Sequence, residues 1–387
     1  MNSLAIPVLA WARSPVAPVG GALSQLQPHE LGAPLVQALL ARAGLPAQAV
    51  DAVVLGNALG AGGNPARMLA LAAGLRESSA AYTVDTQCCA GLDAITLACG
   101  LLAAGQAGIV IAGGVEAWSR APIRQHRPLQ PGAEAVAYER PAFAPWPERD
   151  PDMLQAAADY AQSIHCLRVA QDAYALASHA KALAARHALA AEIVALQGLD
   201  HDAYPRVLRA ERVARMPVAA AASGPDGAEC AVSTVAISAK ADGAALLLLA
   251  TPAACRQWGL QPQALWRGGV SVGGAPETPM LSAATAARQL LGRLALDLPD
   301  IDVWELHDAF AVQGLDFCAA LGLAPERINA QGGGLARGHP IGASGAVAAV
   351  RVLAQLQAQG PGAQLGLACI AGAGGLGAAA VFESLPA

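Results

Sequence analysis

Three observations predict an α/β fold built from two similar halves with a further segment inserted between them. Apolar helices and short buried strands alternate along the chain. The same helix-then-strand order recurs about 250 residues later. The stretch from about 120 to 230 differs from both halves, being first loop-like and then helical.

In the first half, LGAPLVQALLARAG reads as an apolar helix stopped at Gly44, and VDAVVLG as a short buried strand. In the second half, AATAARQLLGRLAL is the matching helix and IDVWELHDAF the matching strand and its exit. VDTQCCAGLDAITLACGLLAAG leads to the strand IVIAGGVE, just as INAQGGGLARGHPIGASGAVAAVRVLAQLQ leads to LGLACIAGAGG. Between the halves, RQHRPLQPGAEAVAYERPAFAPWPERDP reads as loop, whereas DMLQAAADYAQ and RVAQDAYALASHAKALAARHAL read as helices. The expected division is an N-terminal half over 1–119 and 231–252, an inserted loop or cap domain over 120–230, and a C-terminal half over 253–387.

Hydrophobic residues make up 55% of the 387-residue chain, ample for a buried core. With 14% charged residues and a net charge of -5 there is no basic field for a nucleic acid or an anionic bilayer, so neither partner is expected. Apolar runs such as Ala244 to Ala250 are too short to span a membrane. The opening MNSLAIPVLAWARSP lacks a basic start, and Pro7 and Arg13 break its apolar stretch, so no signal peptide is expected. The eight cysteines show neither a disulfide framework nor metal-ligand spacing, which predicts reduced cytoplasmic thiols and no metal.

Cys88 follows the predicted strand AAYTVDTQ and opens a helix. A thiol at a helix N-terminus feels the dipole and free N–H groups, which would lower its pKa and favour the thiolate. Cys89 competes for the same role, and spacing does not separate the two. His339 stands on the glycine-dense loop GGGLARGHPIGASG, where the backbone can approach a ligand closely and Pro340 fixes the following turn. It is a candidate base for a thiol. His307 leaves the buried strand IDVWEL at the kind of strand exit that carries functional groups in α/β folds.

The segments RSPVAPVGGAL, NPARMLALAAGL, QCCAGLDAI, VIAGGVEAWSRAP, QDAYALASHAKA, ADGAALLLL, WELHDAF and GGGLARGHPIGASGA resemble thiolase segments, in thiolase order, over nearly the whole chain. This resemblance to the thiolase superfamily implies a five-layered αβαβα fold of two similar halves, a loop domain for the pantetheine arm, and a homodimer or tetramer. It implies a coenzyme A thioester as substrate, with no metal or redox cofactor. The first cysteine of the family's C-x-S-G turn falls on Cys88, the predicted acyl acceptor, and the G-H-P histidine falls on His339, its base. The backbone N–H of Cys88 would form part of an oxyanion site. Ser238 matches the serine that lies along the pantetheine.

Two departures bear on activity. Where many thiolases have N-E-A-F, this chain has His307, Asp308, Ala309 and Phe310, similar to sterol-carrier-protein-type thiolases and to decarboxylating ketosynthases. The cysteine and glycine of the family's C-terminal C-x-G motif fall, without gaps, on Ala371 and Ala373, so the second catalytic cysteine is missing unless a two-residue shift brings Cys369 into its place. The expected activity is acyl-CoA C-acyltransfer through an acyl-enzyme on Cys88, making or cleaving a 3-ketoacyl-CoA. Its alternatives are a decarboxylating condensation and a catalytically weak partner subunit of a complex.

Overall fold

The computed structural model describes residues 5–60, 62–224, 226–360 and 364–385. Nine strands carry the architecture: β1 (Ile6–Arg13), β2 (Ala52–Gly56), β3 (Ala80–Val84), β4 (Ile109–Ala117), β5 (Ala241–Ala250), β6 (Ala264–Gly273), β7 (Ile301–His307), β8 (Leu365–Gly372) and β9 (Leu376–Ser384). Their order across the sheet is β7-β8-β9-β6-β1-β5-β4-β2-β3, with the short Ala17–Pro18 strand beside β5. β2 runs parallel to β4, and β5 is antiparallel to both β4 and β1. In the other half, β7 runs parallel to β8, and β9 is antiparallel to both β8 and β6. The repeat expected from sequence is thus a repeat of strand order and direction, with β3 added to the N-terminal half. The halves join edge to edge through Ile6, Pro7 and Val8 of β1 beside Trp266, Leu265 and Ala264 of β6.

Eight helices matter here: α1 (Pro28–Ala43), α2 (Pro65–Ala72), α3 (Ala90–Ala103), α4 (Met153–Ser163), α5 (Arg168–Leu189), α6 (Ser282–Leu294), α7 (Ala311–Leu321) and α8 (Ser344–Ala358). Strand alternation sorts them into layers. In β5, Ala245, Leu247 and Leu249 face a core that holds Leu92, Ile95 and Ala98 of α3 with Val347 and Val350 of α8. The intervening Ala244, Leu246 and Leu248 face Leu35, Leu39 and Leu69 of α1 and α2. In β9, Ala378, Ala380 and Phe382 share the first core, whereas Ala379 and Val381 turn to Ala286 and Leu290 of α6 and Phe317 of α7. Five layers result, with α3 and α8 packed together between the two halves of the sheet. Each leucine buried there contributes roughly 1.5–3 kcal/mol.

Local chemistry fixes the element ends. α1 stops where Gly44 takes the left-handed conformation (φ 63°), and the Asn64 side chain accepts from the Arg67 N–H to cap α2. The segment Ile341–Ala358 is long and apolar enough to cross a membrane, but it is packed inside the protein as the middle-layer helix. The predicted inserted helices are present as α4 and α5, with their own core of Ala157, Ala161, Ala175 and Val232. The stretch read as loop contains a small hairpin, Arg124–His126 against Val136–Tyr138.

Candidate active site

The turn between β3 and α3 is built to display a cysteine. Gln87 adopts a positive φ of 54°, and its N–H and side-chain amide both donate to Asp85 Oδ1, at 2.9 and 3.2 Å. Thr86 donates to Asp93 Oδ2 at 2.6 Å, and Ser271 of β6 donates to the other oxygen of that carboxylate, tying the turn to the second half. The sulfurs of Cys88 and Cys89 consequently diverge. Cys89 Sγ is fully buried and lies 3.8 Å from the Ile370 carbonyl, whereas Cys88 Sγ lies 3.2 Å from His339 Nε2.

His339 reaches this position from the opposite half. Its N–H donates to the Ala239 carbonyl at 2.7 Å, and its Nδ1 lies 2.7 Å from Ser344 Oγ. With the Ser344 hydroxyl donating its single proton to the Pro340 carbonyl at 3.0 Å, Nδ1 is assigned as the donor in the histidine–serine bond. That tautomer leaves a lone pair on Nε2, facing the thiol.

Electrostatics revise one expectation. Burial pushes the Cys88 thiol up to about 11, outweighing the lowering effect of the Ala373 and Cys88 backbone N–H groups. The helix-terminus effect therefore does not yield a standing thiolate. Burial also lowers His339 to about 4, so the resting pair is a neutral thiol and a neutral imidazole.

His307 ends β7 and stacks on His339, with ring centroids 4.3 Å apart at 26°. Its Nε2 is buried and has no hydrogen-bond partner. Burial holds its pKa well below the ordinary value, helped by His339 and Arg337. Beside it, the buried Asp308 accepts from Tyr174 Oη of α5 at 3.0 Å and from the Leu335 N–H at 3.3 Å. Ser238 lies between these loops: its N–H donates to the Ala309 carbonyl at 2.8 Å and its hydroxyl to the Gly334 carbonyl at 2.6 Å.

Cys369 does not reach this cluster. It faces the outer core with Leu306 and Leu367, and its sulfur lies 3.7 Å from the Glu305 carbonyl. Ala371 shares that face of β8, while the following turn brings the Ala373 N–H to Cys88. Among the described residues, no other cysteine sulfur is hydrogen-bonded to a histidine, and no cluster of candidate metal ligands is present.

Sequence reading missed several supporting residues. Ser344 sets the tautomer of His339, and the signal was its five-residue spacing in GHPIGAS. Glu116, fully buried and pushed up to about 7 by burial against the pull of the Ala58, Gly342 and Leu59 N–H groups, lies in the thiolase-like segment VIAGGVEAWSRAP but has no role of its own in the sequence reading. A buried charge cluster also escaped notice, because its members are far apart in sequence. Arg13 bonds to Glu192 and Asp202, Arg351 bonds to Glu192 and Gln331, and Arg337 approaches Asp202 at 3.8 Å. This cluster ties both halves to the inserted segment just ahead of the His339 loop.

Comparison with known proteins fits this architecture. Residues 6–253 match the model of the thiolase N-terminal domain and residues 260–384 that of the thiolase C-terminal domain. "Putative acetyl-CoA C-acetyltransferase YhfS" of Bacillus subtilis (strain 168) is 37% identical over 370 residues, covering 94% of this chain and 95% of that protein. "Putative acetyl-CoA C-acetyltransferase VraB" of Staphylococcus aureus (strain MRSA252) is 34% identical over 385 residues, covering 97% and 98%. The crystal structure of the Bacillus anthracis acetyl-CoA acetyltransferase superposes with a TM-score of 0.89 at 31% identity, covering 100% of both chains. Acat5 thiolase from Ascaris suum, solved in complex with coenzyme A, gives 0.88 at 29% identity, covering 98% of this chain and 100% of that one. With its fold, its two matched domains and these full-length relatives, the chain belongs to the thiolase family.

Proposed function

We propose that the protein is an acyl-CoA C-acyltransferase that carries its acyl group on Cys88. The observation behind this reading is the 3.2 Å approach of Cys88 Sγ to His339 Nε2, whose tautomer is fixed by Ser344. As the sulfur attacks a thioester carbonyl, Nε2 accepts the thiol proton; collapse of the tetrahedral intermediate expels coenzyme A, which recovers that proton from the imidazolium. The backbone N–H groups of Cys88 and Ala373 already point at the sulfur, and they suit the developing oxyanion. No metal or redox group is required for these steps, and Ser238, between the two histidine loops, is assigned to the pantetheine arm. The same reading divides the chain at about 119, 230 and 252, with residues 120–230 as the loop domain.

Carbon–carbon bond formation needs a second base for the substrate α-proton. Because the ungapped family motif puts its second cysteine on Ala371, we assign that proton work to His307, whose unpartnered Nε2 is buried beside His339. The stacked neutral pair also favours a second reading, decarboxylative condensation, in which loss of carbon dioxide generates the carbanion without a base. Incubation with acetyl-CoA alone and with acetyl-CoA plus malonyl-CoA decides between them. Acetoacetyl-CoA from acetyl-CoA alone, lost in His307→Ala, supports the first reading, and product dependent on malonyl-CoA with release of carbon dioxide supports the second. Turnover seen only with a co-purifying protein would instead mark the chain as a partner subunit.

The cysteine spacing, which has the pattern of neither a disulfide framework nor a metal site, is what supports a cytoplasmic location. The edge strand β3 supports a homo-oligomer: it ends the sheet, and Tyr82 on it is exposed, as are Met68 and Leu71 of α2, the helix packed against it.

A further inference from the structure

The carboxylate of Glu116 lies beside the site, and its partners come from both halves of the molecule. Glu116 is on β4, in the half that carries Cys88, and is fully buried. Its Oε1 accepts from Asn57 Nδ2 at 2.8 Å, and its Oε2 accepts from the Ala58 N–H at 3.0 Å and the Gly342 N–H at 2.9 Å. Asn57 cannot turn its amide over, because Nδ2 also donates to the Val115 carbonyl at 2.9 Å while Oδ1 accepts from the Gly60 N–H at 3.0 Å. The carboxylate therefore faces N–H donors on both oxygens. Gly342 comes from the opposite half, three residues after His339 and two before Ser344.

Space at this junction is as restricted as the hydrogen bonding. A Cβ on Gly342 would lie 2.7 Å from Asn57 Cα and 2.8 Å from Glu116 Oε2. One on Gly114 would come within 2.1 Å of the Gly342 carbonyl oxygen, and one on Gly91 within 2.8 Å of the same atom. Three glycines thus bring β4, the start of α3 and the His339 loop into backbone contact.

We propose that Glu116 is a positioning residue for the base: by holding Gly342 it fixes the Pro340–Ser344 turn of one half against the half that bears Cys88, and so sets the thiol-to-imidazole distance. The proposal rests on the Cys88–His339 reading and adds to it the device that registers the two partners. The carboxylate does not touch substrate; it acts through the turn that follows His339 and carries Ser344. A displacement of about 1 Å at such a junction typically costs 10²-fold in rate.

The test is the rate of Cys88 alkylation by iodoacetamide, followed by peptide mass spectrometry in the full-length protein. It compares wild type with His339→Ala, Glu116→Ala, Glu116→Gln, Gly342→Ala and the Glu116→Ala/His339→Ala double variant, each checked for native circular dichroism and cooperative melting. Glu116→Ala is expected to be slower by about 10²-fold. The double variant should be no more than about threefold slower than the slower single variant, because a residue that acts through the base has no effect once the base is gone. Glu116→Gln, whose amide oxygen can still accept from Ala58 and Gly342, should stay within about tenfold of wild type. Gly342→Ala, which pushes the turn away from Asn57, should resemble Glu116→Ala. A folded Glu116→Ala variant with the wild-type rate, or one in which His339→Ala keeps its full effect, would overturn the proposal. If Glu116→Ala does not fold, a wild-type rate in Gly342→Ala overturns it instead. A wild-type rate in His339→Ala alone would overturn the base assignment, and this proposal with it.

Discussion

Replacing Ser344 by alanine should disable the base without removing it. In the native site the buried Ser344 hydroxyl accepts from His339 Nδ1 at 2.7 Å and donates to the Pro340 carbonyl at 3.0 Å. Alanine leaves the Nδ1–H without an acceptor, and an unsatisfied buried donor costs about 1–3 kcal/mol. The imidazole can avoid that cost by moving its proton to Nε2, which then has no lone pair for the Cys88 thiol. If the whole cost appears as loss of the competent tautomer, Cys88 acylation falls by roughly 5- to 150-fold, since 1.4 kcal/mol corresponds to a factor of ten. Stopped-flow acylation by a chromogenic thioester, with iodoacetamide alkylation in parallel, measures this directly. Native melting behaviour combined with a slowed reaction is the expected result. A Ser344→Ala variant as fast as wild type, in a protein that His339→Ala slows, would refute the tautomer assignment.

Three further outcomes follow from the same structure. The alkylation rate of Cys88 should fall below about pH 4 as His339 is protonated, stay flat through neutrality, and rise again toward about pH 11 as the thiolate forms; a plateau set by a thiol pKa between 4 and 7 would instead indicate a standing thiolate–imidazolium pair. Arg13→Met leaves Glu192 and Asp202 short of a buried partner, so urea unfolding should show a loss of about 3–5 kcal/mol, and an unchanged midpoint would argue against the ion cluster. Tyr82→Lys on the exposed edge strand should reduce the mass measured by light scattering to that of a monomer, and an unaltered oligomer would place the interface elsewhere.

Much of the fold was legible because helix and strand periods are local properties. Gly44 did end its helix, α5 spans the segment RVAQDAYALASHAKALAARHAL, and the two helix–strand repeats occupy equivalent places in the two halves of the sheet. The Arg124–Tyr138 hairpin was not, since its three-residue strands lie among prolines and glycines that read as loop. Within the site, Cys88 and His339 were recognisable from their motifs, but the choice between Cys88 and Cys89 depended on which sulfur meets a loop from the other half. The thiol pKa was misread for a related reason: the helix terminus is visible in sequence, while the burial that outweighs it is supplied by distant segments. Glu116 and Gly342 are 226 positions apart, and neither carries a local signal of the contact between them.

The central claim, that Cys88 accepts the acyl group with His339 as its base, is tested most directly by intact and peptide mass spectrometry. The protein is mixed briefly with a panel of acyl-CoAs, and wild type is compared with Cys88→Ala, Cys89→Ala, Cys369→Ala and His339→Ala. An acyl adduct on the Cys88 peptide, abolished in Cys88→Ala, strongly slowed in His339→Ala and retained in Cys89→Ala and Cys369→Ala, is the predicted result. No adduct from any donor on the folded protein, or an adduct that survives in Cys88→Ala, would contradict it.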